Sequence, residues 1–176
     1  MRELLLTAAM IFGASANAQT VQREVDRFTQ ETKLSVDLEM AQQPNPYSVL
    51  PTKVIVTANK GDGPISYSAL IATNSSIGRG GAGGWRYLGV DSIDWLVDGQ
   101  PATFDKVAAQ RQVAGRAVAE YFIQPFTREQ VERLASSTTV EFRIGSDEFA
   151  LSPEQILAIA DLTAQAASLE GETAGE

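Results

Sequence analysis

The chain has 176 residues, 44% of them hydrophobic and 20% charged, the composition of one globular domain rather than of a disordered or fibrous chain. It contains neither Cys nor His. That removes disulfides, thiolate nucleophiles, Cys-ligated metal centres, every Ser-His or Cys-His arrangement and the commonest general base. The formal net charge of −8 disfavours nucleic acid and anionic membrane surfaces as partners, because both require a basic face.

Residues 1–18 read as an exported protein's leader. Arg2 is followed by an uncharged, mostly apolar run from Leu4 to Ser15, then by Ala16-Asn17-Ala18. Small residues at those two positions fit cleavage between Ala18 and Gln19. The run is too short for a membrane span, which needs about 20 residues. No Cys follows to carry a lipid, and no second apolar run is long enough to span. The expectation is a periplasmic or secreted protein, soluble after cleavage, with one β-rich domain over 19–169 and an acidic tail over 170–176.

Along the mature chain, Leu34, Val36 and Leu38 alternate with polar residues, which predicts a half-buried strand over Lys33–Glu39. Ala41–Pro51, with three prolines, reads as a loop. The β-branched run Lys53–Ala58 and the segment Ile65–Thr73 read as strands joined through Gly61-Asp62-Gly63. Ser75–Gly84 carries five glycines and reads as a loop. Trp85–Leu88 and Ser92–Val97 are strand candidates, with a turn at Asp98-Gly99 and a continuation over Ala102–Phe104. Gln112–Gln124 is ambiguous, its second half favouring strand.

Helix starts are sharper. Thr127-Arg-Glu-Gln130 and Ser152-Pro-Glu-Gln155 both spell a capping box, the second with proline at the first helical position. The first helix is expected over about 128–136 with Val131 and Leu134 inward. The second is expected over about 153–168 with an apolar face of Ile156, Leu157, Ala160 and Thr163 or Ala164. Between them Thr138–Ile144 and Glu148–Leu151 read as a hairpin about Gly145-Ser146-Asp147. The fold class is α+β, mainly β: an antiparallel sheet or small sandwich of seven to nine short strands with a short helix and a C-terminal helix.

The pieces Trp85-Arg-Tyr-Leu88, Trp95-Leu-Val-Asp-Gly99, Arg133-Leu-Ala-Ser136, Val140-Glu-Phe-Arg-Ile-Gly145 and Glu148-Phe-Ala-Leu-Ser152 resemble a recurrent type of uncharacterised exported bacterial protein of β-rich α+β build. The resemblance implies a small periplasmic fold and brings no known activity.

No motif names a reaction. Gly78-Arg-Gly80-Gly81-Ala-Gly83 matches G-x-G-x-x-G, but the Trp-Arg-Tyr-Leu that follows does not open a helix. The carboxylates Asp91, Asp94, Asp98, Asp105, Glu120 and Glu141 could supply an acid and a base for glycoside hydrolysis, although nothing marks one pair. Calcium-loop spacing is absent. Glu141 and Arg143 alternate with Val140, Phe142 and Ile144, a solvated face backed by an apolar one. Trp85 and Tyr87 share a face if their segment is a strand. Arg79, Trp85 and Arg86 are the candidate partner-binding edge, with catalytic, metal and cofactor residues assigned to none. The expected role is a non-enzymatic periplasmic protein that binds an envelope protein or glycan. The alternative is a carboxylate-dependent hydrolase acting on envelope glycans, and a third reading is a carrier with a closed cavity between sheet and helix.

Overall fold

The computed structural model describes residues 19–40, 48–76 and 84–172. The expected leader over 1–18, residues 41–47 of the expected loop, and Arg79 lie outside the described residues.

Among the described residues ten strands form two antiparallel sheets. In the larger sheet β1 (Gln22–Val25), β2 (Thr32–Glu39), β3 (Ser48–Lys60), β4 (Ser66–Ser76), β7 (Ala108–Ala114) and β8 (Ala117–Phe126) lie in the order β1-β2-β3-β4-β8-β7. The smaller sheet comprises β5 (Asp94–Val97), β6 (Gln100–Ala102), β9 (Val140–Ile144) and β10 (Asp147–Ala150), in the order β10-β9-β5-β6. Two helices, α1 (Arg128–Ser136) and α2 (Pro153–Glu172), complete the α+β, mainly β architecture.

The period-two residues build the core. Leu34, Val36 and Leu38 of β2 lie on one face with Val54, Val56 and Ala58 of β3 and Tyr67, Ala69 and Ile71 of β4. Phe122 and Phe126 of β8 continue that face. The small sheet presents Trp95, Val97, Val140, Phe142 and Ile144 to the same cluster. Trp95 ties the sheets together, its ring 5.0 Å from Phe142 in its own sheet and 5.9 Å from Phe126 in the other. Each such buried side chain contributes roughly 1.5–3 kcal/mol relative to exposure.

Both capping boxes form. Gln130 N–H donates to Thr127 Oγ1 at 3.2 Å, and the Thr127 amide donates to Gln130 Oε1 at 2.8 Å. Ser152 and Gln155 exchange the same pair at 3.3 and 2.9 Å. Val131 and Leu134 of α1 are buried as expected. α1 packs on α2, β4 and β8, while α2 lies along β2 and β3.

Several expectations are corrected. Ser48–Pro51 of the expected loop opens β3, and ten strands are described where seven to nine were expected. Trp85–Leu88 is a bend and turn rather than a strand, because its amides go to a side chain instead of a ladder. Gln112–Gln124 spans two strands joined at Gly115-Arg116, where Gly115 has φ +62°. That positive φ at the first turn position favours glycine, and it makes a two-residue hairpin inside a run that reads as one segment. The buried stripe of α2 is Ile156, Ile159, Leu162, Ala166 and Leu169, and Leu157 is 68% exposed. The run Ile156–Ala160 is apolar on every side, so two faces compete; only the observed stripe continues through Leu162 and Leu169. The helix also runs on to Glu172, and Glu170 of the expected tail pairs with Arg128 at 2.5 Å.

Candidate functional site

The expected partner-binding edge is held from beneath by charge. Glu120 sits on the inward face of β8 between Val118 and Phe122 and is 1% exposed. Its carboxylate accepts the Arg86 amide at 2.8 Å and the Tyr87 amide at 3.1 Å. Arg111, opposite it on β7, lies 3.6 Å from Glu120 and donates to the carbonyls of Tyr87 and Val90 at 2.9 and 2.7 Å. The Arg86 guanidinium reaches Asp147 at 2.6 Å, and the Tyr87 hydroxyl donates to the same oxygen at 2.6 Å. Burial, followed by the bond to Asp147, raises the Tyr87 pKa far above its ordinary value.

Arg86 is therefore spent on an internal ion pair, and Tyr87 points into the core with its ring 5.7 Å from Phe122. Trp85 and Tyr87 do not share a face. Trp85 stands at the surface, 36% exposed. Of the described members of that edge, Arg86 turns inward to Asp147 and Trp85 stays outward. The signal was present in β8, whose inward phase reads Val118, Glu120, Phe122, Gln124, Phe126. The two polar members hold connections between the sheets: Glu120 the 86–90 segment, and Gln124 the carbonyl of Asp105 at 2.7 Å.

The other expected carboxylates are dispersed. Asp98 occupies the β5–β6 turn with φ +53°, and its Oδ1 accepts the amides of Thr138 and Thr139 at 2.7 and 3.0 Å. Asp91 and Asp105 lie exposed in connections. Glu129 and Glu154 have pKa values lowered by hydrogen bonds to their own backbone amides and to the cap hydroxyls of Thr127 and Ser152. They belong to helix starts. Among the described residues no group of three or more acidic side chains is placed to hold a metal ion.

Asp94 and Glu141 do come together. They line an open groove of about 540 Å³ over the small sheet. Two cross-strand rows build it. Asp94, Arg143 and Glu148 face one another across β5, β9 and β10, as do Leu96, Glu141 and Ala150. Met40, Phe142 and Phe149 complete the lining. Phe142 and Phe149 stack with centroids 4.9 Å apart, which stiffens the strands below. Arg143 grips Asp94 at 2.6 Å. The alternation of Val140–Ile144 made this charged face legible; the depression over it depends on how the strands and Met40 meet in three dimensions.

No protein-family model matches the chain, and no curated protein or solved structure is significantly similar to it. Among the described residues no helix is long and apolar enough to cross a membrane.

Proposed function

We propose that this chain is an exported, non-enzymatic binding protein of the cell envelope, and that the groove over the small sheet is its recognition surface. The observation that carries this reading is the groove itself. Its volume of about 540 Å³ falls within the roughly 300–1,000 Å³ typical of ligand sites, and its lining mixes apolar residues with a few convergent charges. A carrier's closed cavity between sheet and helix is a poorer description, since this depression is open and borders the small sheet.

Two experiments test the reading. Intact-mass analysis of protein from fractionated cells should find a chain beginning at Gln19 outside the cytoplasm; a chain retaining Met1 in the cytoplasm refutes export. A small-molecule screen by amide chemical-shift mapping should give hits that move Leu96, Glu141 and Ala150. Ala150→Trp, which fills the groove from an exposed strand position, should abolish them. Hits that ignore this substitution overturn the assignment.

The hydrolase reading keeps one specific support. Asp94 and Glu141 are diagonal neighbours on adjacent strands, a placement with Cα atoms roughly 7–8 Å apart. Side chains on such diagonal positions of one sheet face can bring two carboxyl groups to the roughly 5–9.5 Å at which they flank a glycosidic bond. Release of reducing sugar from purified envelope glycans, lost in Asp94→Asn and in Glu141→Gln, would establish it in place of the binding role.

A further inference from the structure

We infer that the groove takes a small organic cation, an ammonium or guanidinium group carried on an apolar body. This rests on the groove being the recognition surface and names what that surface selects.

Charge in the groove is unevenly placed. Among the described lining residues Arg143 is the one cation, and it lies opposite Asp94 and Glu148 rather than Glu141. Arg143 is already committed, with Nη2 2.6 Å and Nε 3.2 Å from Asp94 Oδ2, and it faces Glu148 on its other side. Glu141 has a different setting. Its cross-strand neighbours are Leu96 on β5 and Ala150 on β10, so the carboxylate rises between two apolar side chains.

That setting discriminates among ligands. An anion would meet Glu141 and a guanidinium already held by Asp94. A neutral hydrophobe resting on Leu96 and Ala150 would strip water from Glu141 and return nothing, which is costly for a charged group. A cation with an apolar body covers the same two side chains and gives Glu141 a charge-assisted hydrogen bond in place of the lost water. The apolar flanks reduce local screening and strengthen that pairing. The net charge of −8 over the chain favours the approach of cations from a distance.

The probes are three of nearly equal shape: 2-phenylethylamine, 2-phenylethanol and phenylacetate, titrated into the full mature chain and followed by amide shifts. The amine should bind about five- to tenfold more tightly than the alcohol, with phenylacetate weakest. Added salt should narrow the gap between amine and alcohol. Glu141→Gln should erase the amine's advantage while leaving alcohol binding in place. Arg143→Gln, which removes the groove's own cation, should tighten amine binding, an effect that loss of structure would not produce. Equal binding of amine and alcohol, or an amine preference that survives Glu141→Gln, overturns the inference and leaves the groove reading standing. If none of the three shifts the groove amides, both fall.

Discussion

Tyr87 donates its backbone amide to both carboxylate oxygens of Glu120, each at 3.1 Å, from a position 33 residues earlier in the chain. The contact joins a bend between the sheets to the middle of β8, and Arg111 closes it from the next strand. Glu120→Ala should destabilise the protein by about 3–5 kcal/mol, because it leaves the Arg111 charge without its counter-ion and the Arg86 and Tyr87 amides without their acceptor. Glu120→Gln, which keeps one acceptor oxygen, should cost clearly less. Urea unfolding measures both. Hydrogen exchange at Arg86 and Tyr87 should accelerate in the Ala variant even where the global fold persists, and a cost below about 1 kcal/mol would refute the clamp.

At the β5–β6 turn, Asp98 does two things. It adopts φ +53° and it accepts two amides ahead of β9. Asp98→Ala loses the acceptor and places a Cβ-bearing residue without a local hydrogen bond in the left-handed region, so about 2 kcal/mol should be lost. Asp98→Gly relieves the backbone and should recover part of that loss. Thermal unfolding of the two variants distinguishes the conformational share from the hydrogen-bond share.

The face of α2 can be read by a pair of substitutions two residues apart. Ile159→Ala should cost about 3 kcal/mol, since Ile159 is buried. Leu157→Ser, at an exposed site, should stay within about 0.5 kcal/mol. The reverse order in denaturant midpoints would place the helix in the wrong rotation.

Proton linkage should show at both ends of the pH scale. Glu129 and Glu154 have pKa values lowered in the fold from an ordinary 4.5. Their contribution is present above that value and fades as pH falls through the depressed folded values, so acid should fray the starts of α1 and α2. Tyr87 is shifted upward from 10.0. Its contribution is complete below pH 10 and declines as pH rises beyond it, since only the unfolded chain releases that proton readily. Absorbance titration of phenolate should find Tyr87 ionising together with unfolding, and Tyr87→Phe should remove that component. Phenolate formation from Tyr87 in the folded chain would contradict the burial.

Fold class, both caps and most strands were legible because each rests on local chemistry. Leu34-x-Val36-x-Leu38 admits one face, and Thr127 with Gln130 admits one helix start. The Gly115 turn was hidden because alanines flank it on both sides and carry no period. The Trp85 segment misled because aromatic residues favour strands, whereas Glu120, 34 residues away, claimed the backbone donors. The face of α2 was ambiguous for want of polar residues near its start. Of the candidate site, the Glu141/Arg143 alternation was readable. That Asp94 and Leu96 lie beside it depends on the antiparallel pairing of β5 with β9, about 45 residues apart in sequence.

Gln155 caps α2 and also donates to the Glu39 carbonyl at 2.8 Å, across 116 residues. The helix that covers β2 and β3 is thus made well after them and is fastened back to the end of β2. During synthesis the apolar face of Leu34, Val36, Val54 and Val56 has no lid until Pro153 onward has emerged.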